Sequence, residues 1–180
     1  MKIDILTLFP DFYDSFLLNS IIKKAILKNK VDINIIDLKD FSKRKDRRVD
    51  YKPFGGGAGM IITAPVVISA IEKFKKEDTL VILLSPRGKV FSQKNAKLLS
   101  LKKHIIIICG HYEGVDERVL EYVDYELSIG DYILTGGEVA SLVVVDSIVR
   151  LIDGVISSDS KKEESFEENL LEYPQYTKPR

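Results

Sequence analysis

The feature that most constrains this chain is the run Ile105-Ile106-Ile107-Ile108 together with the segment directly after it, Cys109-Gly110-His111-Tyr112-Glu113-Gly114-Val115-Asp116-Glu117-Arg118. Four consecutive isoleucines are β-branched and wholly apolar, so they read as a strand buried on both faces or as core. Glycines, charges and an aromatic begin as soon as that strand ends. In open α/β sheets, loops beyond the carboxyl ends of buried parallel strands are where ligands bind. The design recurs twice. Leu80-Val81-Ile82-Leu83-Leu84 runs into Ser85-Pro86-Arg87-Gly88, and Tyr125-Glu126-Leu127-Ser128-Ile129 runs into Gly130-Asp131-Tyr132-Ile133-Leu134-Thr135-Gly136-Gly137-Glu138. Three polar, glycine-bearing loops at three strand ends predict one composite pocket.

The rest of the chain supports a sheet of that kind. Residues 2–8 alternate as a first strand. Phe12, Phe16, Leu17, Ile21 and Ile22 recur at helical spacing after Pro10 and predict a helix ending near Asn29. Val31, Ile33 and Ile35 alternate with polar residues as a half-exposed strand. Residues 39–60 show no period and predict a long loop, which in a compact domain is more often functional than idle. The pattern then predicts helix 61–75, strand 80–84, helix 92–101, strand 104–108, helix 116–122, strand 124–129 and helix 136–151. Strands alternating with helices predict an α/β fold, a mostly parallel sheet with helices on both faces. After Gly154 the polar, aperiodic stretch Ser157-Ser158-Asp159-Ser160-Lys161-Lys162-Glu163-Glu164 predicts a flexible segment.

Composition narrows the function. With 180 residues, 45% of them hydrophobic and 30% charged, one soluble domain with a single core is expected. The 27 basic and 27 acidic residues cancel, which argues against a surface that binds polyanions everywhere. A single cysteine, Cys109, excludes an intramolecular disulfide and a thiolate zinc cluster, and a count of two histidines argues against a His-based metal site. The opening Met1-Lys2-Ile3-Asp4 reads as a strand and not a signal peptide, and no apolar run reaches membrane-spanning length. A cytoplasmic protein with no membrane partner is expected.

Several clusters admit two readings each. The run Phe54-Gly55-Gly56-Gly57-Ala58-Gly59-Met60 is an ordinary flexible turn, or a place where backbone approaches a ligand. It lacks the Lys-Ser/Thr of a phosphate-binding loop, and no strand is predicted before it. Lys43-Arg44-Lys45-Asp46-Arg47-Arg48, with five cations in six positions, is a solvated charge run or a phosphate-contacting patch. Asp116 and Glu117 stabilise a helix start by charge. Glu113 stands on the loop itself and could balance a cationic ligand. Arg150 is a cation at a helix end or a functional group, and Glu163, Glu164, Glu167 and Glu168 read by composition as a solvated acidic stretch. The residues alone point to a ligand-binding α/β enzyme for a nucleotide-like molecule.

Taken in order, these segments resemble a family. Ile5-Leu6-Thr7-Leu8-Phe9-Pro10, Val49-Asp50 with Pro53-Phe54-Gly55-Gly56-Gly57-Ala58-Gly59-Met60, Leu84-Ser85-Pro86-Arg87-Gly88, Gly110 to Arg118, Ser128 to Tyr132, Thr135-Gly136-Gly137-Glu138, Glu164-Ser165-Phe166 and Leu170 to Thr177 are similar to the bacterial tRNA (guanine-N1)-methyltransferases. The similarity spans essentially the whole chain, and jointly the segments are highly specific. It implies a SPOUT-class fold with a C-terminal trefoil knot, an exception to the avoidance of threaded chains. It implies an obligate homodimer whose active sites draw on both subunits, and methylation of the guanine just 3′ of the anticodon in tRNA. It implies S-adenosylmethionine held by Leu84, Ser85, Pro86, Gly88, Gly110, Tyr112, Glu113, Gly114, Ile129, Gly130, Tyr132, Leu134, Gly136 and Gly137. Catalysis is implied for Glu164 as base and Arg150 as charge stabiliser. Magnesium is also implied, with no all-protein metal cage evident in the residues.

Three departures accompany the resemblance. Residues 1–156 correspond to the knotted methyl-donor domain, and 157–180 to a linker towards a helical C-terminal domain that the family usually carries. Glu164 stands where the family usually has Asp, and His111 where it usually has Arg. The competing reading is a non-catalytic module that binds S-adenosylmethionine or tRNA, which methyl transfer to any tRNA distinguishes. A dinucleotide-dependent oxidoreductase is disfavoured because no glycine fingerprint follows the first strand.

Overall fold

The chain's apolar runs become parallel strands in a computed structural model, which describes residues 1–157, Pro174 and residues 176–178. The strands are β1 (Lys2–Thr7), β2 (Asp32–Asp37), the short pair β3 (Asp50–Tyr51) and β4 (Ile61–Ile62), then β5 (Thr79–Val90), β6 (His104–Cys109) and β7 (Tyr125–Ser128). Five of them form one sheet in the order β2-β1-β6-β5-β7, with every neighbouring pair parallel. The isoleucine run lies in β6, the central strand, and all six of its residues are buried.

The helices are α1 (Asp14–Leu18), α2 (Ser20–Leu27), α3 (Ala64–Phe74), α4 (Gln93–Ser100) and α5 (Gly137–Val149). Alternate strand residues feed two apolar layers, as the period of two requires. Ile3, Ile5, Ile82, Leu84, Ile105 and Ile107 pack with Ile22 and Ala25 of α2 and with Val144, Val145, Ile148 and Val149 of α5. Leu6, Val81, Leu83, Ile106 and Ile108 face the other way, against Val66, Val67, Ala70 and Ile71 of α3 and Val119. The expected α/β sheet, covered on both faces, is therefore present.

Local departures have local causes. The expected helix over 10–29 is broken into a 3-10 turn (Pro10–Tyr13), α1 and α2. Asn19 is extended between the two helices, and its side-chain amide donates to the Ser15 carbonyl at 2.7 Å. Asn and Ser offer backbone groups such alternatives, which is why they interrupt helices. The 39–60 stretch is no bare loop: it holds a 3-10 turn (Leu38–Phe41) and β3, which pairs antiparallel with β4. Residues 61–62 are therefore strand, and α3 begins only at Ala64. The element over 117–122 is a 3-10 turn and not an α-helix.

A buried polar row ties four strands together at their amino ends. Asp4 on β1 is fully buried and accepts from Asn34 of β2 (2.9 Å), lies 2.9 Å from Lys2 Nζ, and lies 2.8 Å from His104 Nε2 of β6. The other imidazole nitrogen lies 2.7 Å from the Thr79 hydroxyl of β5. A one-residue slip would strand these groups among apolar side chains, so the row fixes register. Asp4→Asn keeps the shape but sets an amide N–H against donors. It is expected to cost about 1–3 kcal/mol, read as a lower urea midpoint at unchanged slope.

Candidate active site at the carboxyl ends of β5, β6 and β7

Register sets the three strand-end loops side by side. Leu84 pairs with Cys109 of β6 and with Leu127 of β7. β5 does not stop at Leu84, where the sequence pattern ended it. It continues to Val90, and Lys89 and Val90 pair with Leu127 and Ser128 after a register shift across 85–88. Leu127 thus has partners on two passes of the same strand. The 85–88 excursion lies tight against β7: a Cβ on Gly88 would sit 2.5 Å from the Glu126 carbonyl carbon, so no larger residue fits.

The other two loops close on each other. The Gly137 amide donates to the Gly110 carbonyl at 2.7 Å, and His111 and Gly136 form an isolated antiparallel bridge. A Cβ on Gly137 would lie 2.7 Å from Cys109 Cα and 3.0 Å from the Gly110 nitrogen. Leu84, Gly110, Gly136 and Gly137 therefore converge, with Ser85, Ile129 and Gly130 half-buried beside them. In the loop after β7, the Tyr132 ring packs on Gly130 and its hydroxyl donates to the Ile129 carbonyl at 3.2 Å. Tyr132 and Leu134 remain exposed. Pro86 is exposed at the outer turn and carries no N–H to donate.

The glycine run joins this site through the Glu113 loop. β3 and β4 bracket it as a hairpin, so a strand does precede it, contrary to expectation. The Glu113 amide donates to the Met60 carbonyl (3.0 Å), Ile62 N to the Gly114 carbonyl (3.0 Å), and Asp116 N to the Ile62 carbonyl (2.9 Å). The Glu113 side chain occupies the space a Cβ on Gly59 would need, and Gly59 sits at φ +79. Tyr112 adopts φ +59, unusual for a side chain of its size and a form of strain that collects at functional sites. Asp116 caps the turn after it: its carboxylate accepts from the Arg118 amide at 3.1 Å and binds the Arg118 guanidinium, which holds the Asp116 carboxyl below the usual range. Its stabilising reading stands.

Beneath the loops, Cys109 is fully buried, with its sulfur 3.4 Å from the Tyr13 hydroxyl, and burial pushes its thiol up to about 12. A thiol so far from ionisation is no nucleophile at neutral pH. In the basic stretch the arginines are matched locally: Arg44 with Asp46 (3.0 Å), Arg47 with Asp37 (3.4 Å) and Asp40, and Arg48 with Asp50 (3.2 Å). Lys43 and Lys45 are exposed beside them.

The structure separates Arg150 from the three loops. It caps the carboxyl end of α5, whose amino end is Gly137. Thirteen helical residues at 1.5 Å each span about 20 Å, further than an arginine side chain reaches. Glu164 lies outside the described residues. Among the described residues, no three His, Cys, Asp or Glu side chains gather as a metal cage, and no helix is long and apolar enough to cross a membrane. An open depression of about 360 Å³ lies at the other end of the sheet, between Glu77, Asp78, Lys102, Lys103 and Asp124. It lies away from the glycine loops, and two of its charges, Lys103 and Asp78, pair with each other at 3.5 Å.

A parallel sheet whose adjacent strand-end loops close on one another, with glycine at each close approach, defines an α/β scaffold of the class that binds ligands at its carboxyl edge. The chain matches the tRNA (guanine-1)-methyltransferase TrmD family over residues 1–180. It is 52% identical to the tRNA (guanine-N(1)-)-methyltransferase of Malacoplasma penetrans, over 99% of this chain and 79% of that protein. It is also 52% identical to the protein of that name from Carboxydothermus hydrogenoformans, over 100% of this chain and 72% of the relative. A third, from Dictyoglomus turgidum, is 51% identical over 100% of this chain and 74% of its own length. The chain belongs to the tRNA (guanine-1)-methyltransferase TrmD family.

Proposed function

We infer that this chain transfers a methyl group from S-adenosylmethionine to N1 of a guanine in tRNA, the guanine just 3′ of the anticodon. The observation that carries the reading is the closure of the Gly110 and Gly136–Gly137 loops beside Leu84, in a chain of this family. The residues fit the donor. Backbone approaches at glycine, Leu84, Ile129 and Leu134 offer apolar walls for a nucleoside, and Glu113 supplies negative charge for a sulfonium. When bound, the donor supplies an electrophilic methyl.

Guanine N1 carries a proton and is a poor nucleophile. Glu164 removes that proton as general base, a role worth about 10²–10⁴-fold. Charge then spreads towards O6, where the Arg150 guanidinium stabilises it. The strand-end loops hold the donor and exclude water around it. We assign Leu84, Ser85, Gly88, Gly110, Tyr112, Glu113, Gly114, Ile129, Gly130, Tyr132, Leu134, Gly136 and Gly137 to donor contact, largely through backbone, with Pro86 shaping the first loop. The magnesium that the family implies enters no step derived from these residues.

The separation of Arg150 from its own loops supports a homodimer in which Arg150 serves the partner's donor site. α5 supports it too. On its exposed face Val139 and Val143, one turn apart, are 44% and 43% exposed, with Asp146 at the next turn. The trefoil knot is the fold that the family implies, and β5 pairs with Leu127 on both sides of its 85–88 excursion. We propose residues 1–156 as the donor-binding unit and the cytoplasm, where tRNA is modified, as its location.

Contact with tRNA is expected to be salt-sensitive but shallow. With the arginines of the basic loop matched by acids, Lys43 and Lys45 leave about two phosphate contacts and a log–log salt slope near −2. A slope steeper than about −5 would place the main RNA contact on other surfaces. The test of the function itself is methyl transfer to unmodified tRNA carrying guanine 3′ of the anticodon.

A further inference from the structure

Glu138 is the second residue of α5 and only 5% exposed. A buried carboxylate is costly unless it is paired. One oxygen accepts from the Thr7 hydroxyl at 2.8 Å, and the same hydroxyl accepts from the Phe9 amide at 3.0 Å. The other oxygen lies 3.6 Å from His111 Nδ1. That nitrogen is itself buried and has no hydrogen-bond partner among the described residues. The Gly136 backbone passes beside both groups, where any Cβ would collide with the carboxylate oxygen and with Nδ1. The imidazole packs against the rings of Phe9 (centroids 4.8 Å apart) and Tyr112 (5.1 Å, edge-on).

The pair thus touches the end of β1, the loop after β6 and the loop after β7 at one point. Its charged and titratable surroundings are few. Cys109 and Tyr13 lie close enough to sense the Glu138 charge, which helps to hold both in their neutral forms behind the larger effect of burial. Lys39 sits over the Phe9 ring at 5.5 Å and donates to the Leu8 carbonyl. His111 is the one cation-forming side chain within ion-pair distance of Glu138 among the described residues.

We propose that Glu138 and His111 are positioning residues: a carboxylate–imidazole pair that locks the Gly110–Gly114 loop against Gly136–Gly137 in the geometry that receives the methyl donor. The inference rests on the reading that these loops hold S-adenosylmethionine. The pair acts through backbone and need not touch the donor. At 3.6 Å the two groups are one small ring movement short of a hydrogen bond, which ordering the loops closes.

The test is calorimetric titration of S-adenosylmethionine into the wild-type protein, His111→Gln, Glu138→Gln, the double variant and His111→Arg, with the melting temperature of each ligand-free protein. Each single Gln variant is expected to bind about tenfold more weakly, and the double variant no more weakly than either single, because the two act as one unit. His111→Arg keeps an N–H donor facing the Glu138 carboxylate and is expected to bind within about twofold of wild type when Glu138 is present. Affinity unchanged in both Gln variants, with or without a lower melting temperature, overturns the pairing while leaving the donor site intact. Additive losses in the double variant also overturn it. Wild-type protein that gives no heat overturns the donor-site reading itself, and this inference with it. His111 is partly exposed, so its variants report even if Glu138→Gln does not fold.

Discussion

Glu164→Gln is expected to abolish methyl transfer and leave S-adenosylmethionine affinity unchanged. The amide cannot take the N1 proton, and the loss should approach the full ~10²–10⁴-fold of general-base catalysis. The proposed donor site lies on loops that include no part of the 163–168 acidic stretch, so binding has no reason to change. Arg150→Ala should lower turnover by about 10²–10³, or roughly 2.7–4 kcal/mol, the scale of losing one donor to a developing oxyanion. Glu164→Asp keeps the carboxylate on a shorter arm, the family's usual one, and is expected to retain activity. Steady-state kinetics with calorimetry on each variant checks the set. Full turnover by Glu164→Gln would move the base elsewhere, with Glu163 the first substitute to examine.

Gly137→Val is expected to remove donor binding altogether. Its Cβ would stand 2.7 Å from Cys109 Cα and 3.0 Å from the Gly110 nitrogen, both backbone atoms of the central strand's end. Backbone there cannot yield, because Cys109 is fully buried and paired to Leu84. Relief comes only by parting the two loops and breaking the 2.7 Å bond from Gly137 to Gly110. Gly55→Ala is the control: nothing lies within 4 Å of its Cβ and its φ is not in the left-handed region, so binding should stay as in wild type. Calorimetry should show no heat for Gly137→Val at millimolar donor, and wild-type affinity for Gly55→Ala. Wild-type affinity in Gly137→Val would mean that the loops do not need to close.

What the sequence disclosed was local and repetitive. Ile105–Ile108 and Leu80–Leu84 are runs that only a doubly covered sheet can bury, and the glycines after them stand where chains approach. Features made by distant backbone pairing stayed hidden. The β3–β4 pair involves only Asp50–Tyr51 and Ile61–Ile62, too short for any period to register. The extension of β5 past Pro86 runs against the usual exclusion of proline from paired strands, and only the fold around β7 explains it. Phe12 to Ile22 carry a sound helical period, yet Asn19 breaks the helix through one side-chain bond. Glu138 and His111 are 27 residues apart in the sequence, and nothing in either segment announces the pair. Arg150 was visible as a residue, but its distance from the loops was not. That distance gives the proposed dimer a reason in this chain's own geometry, beside the one that the family supplies.

Methyl transfer by this chain is read most directly by incubating it with S-adenosylmethionine and unmodified tRNA bearing guanine 3′ of the anticodon, then locating the methyl group in the nucleoside digest. The expected product is N1-methylguanosine at that single position, lost when the guanine is replaced by adenine. Protein that binds S-adenosylmethionine yet transfers no methyl to this tRNA would contradict the proposed function.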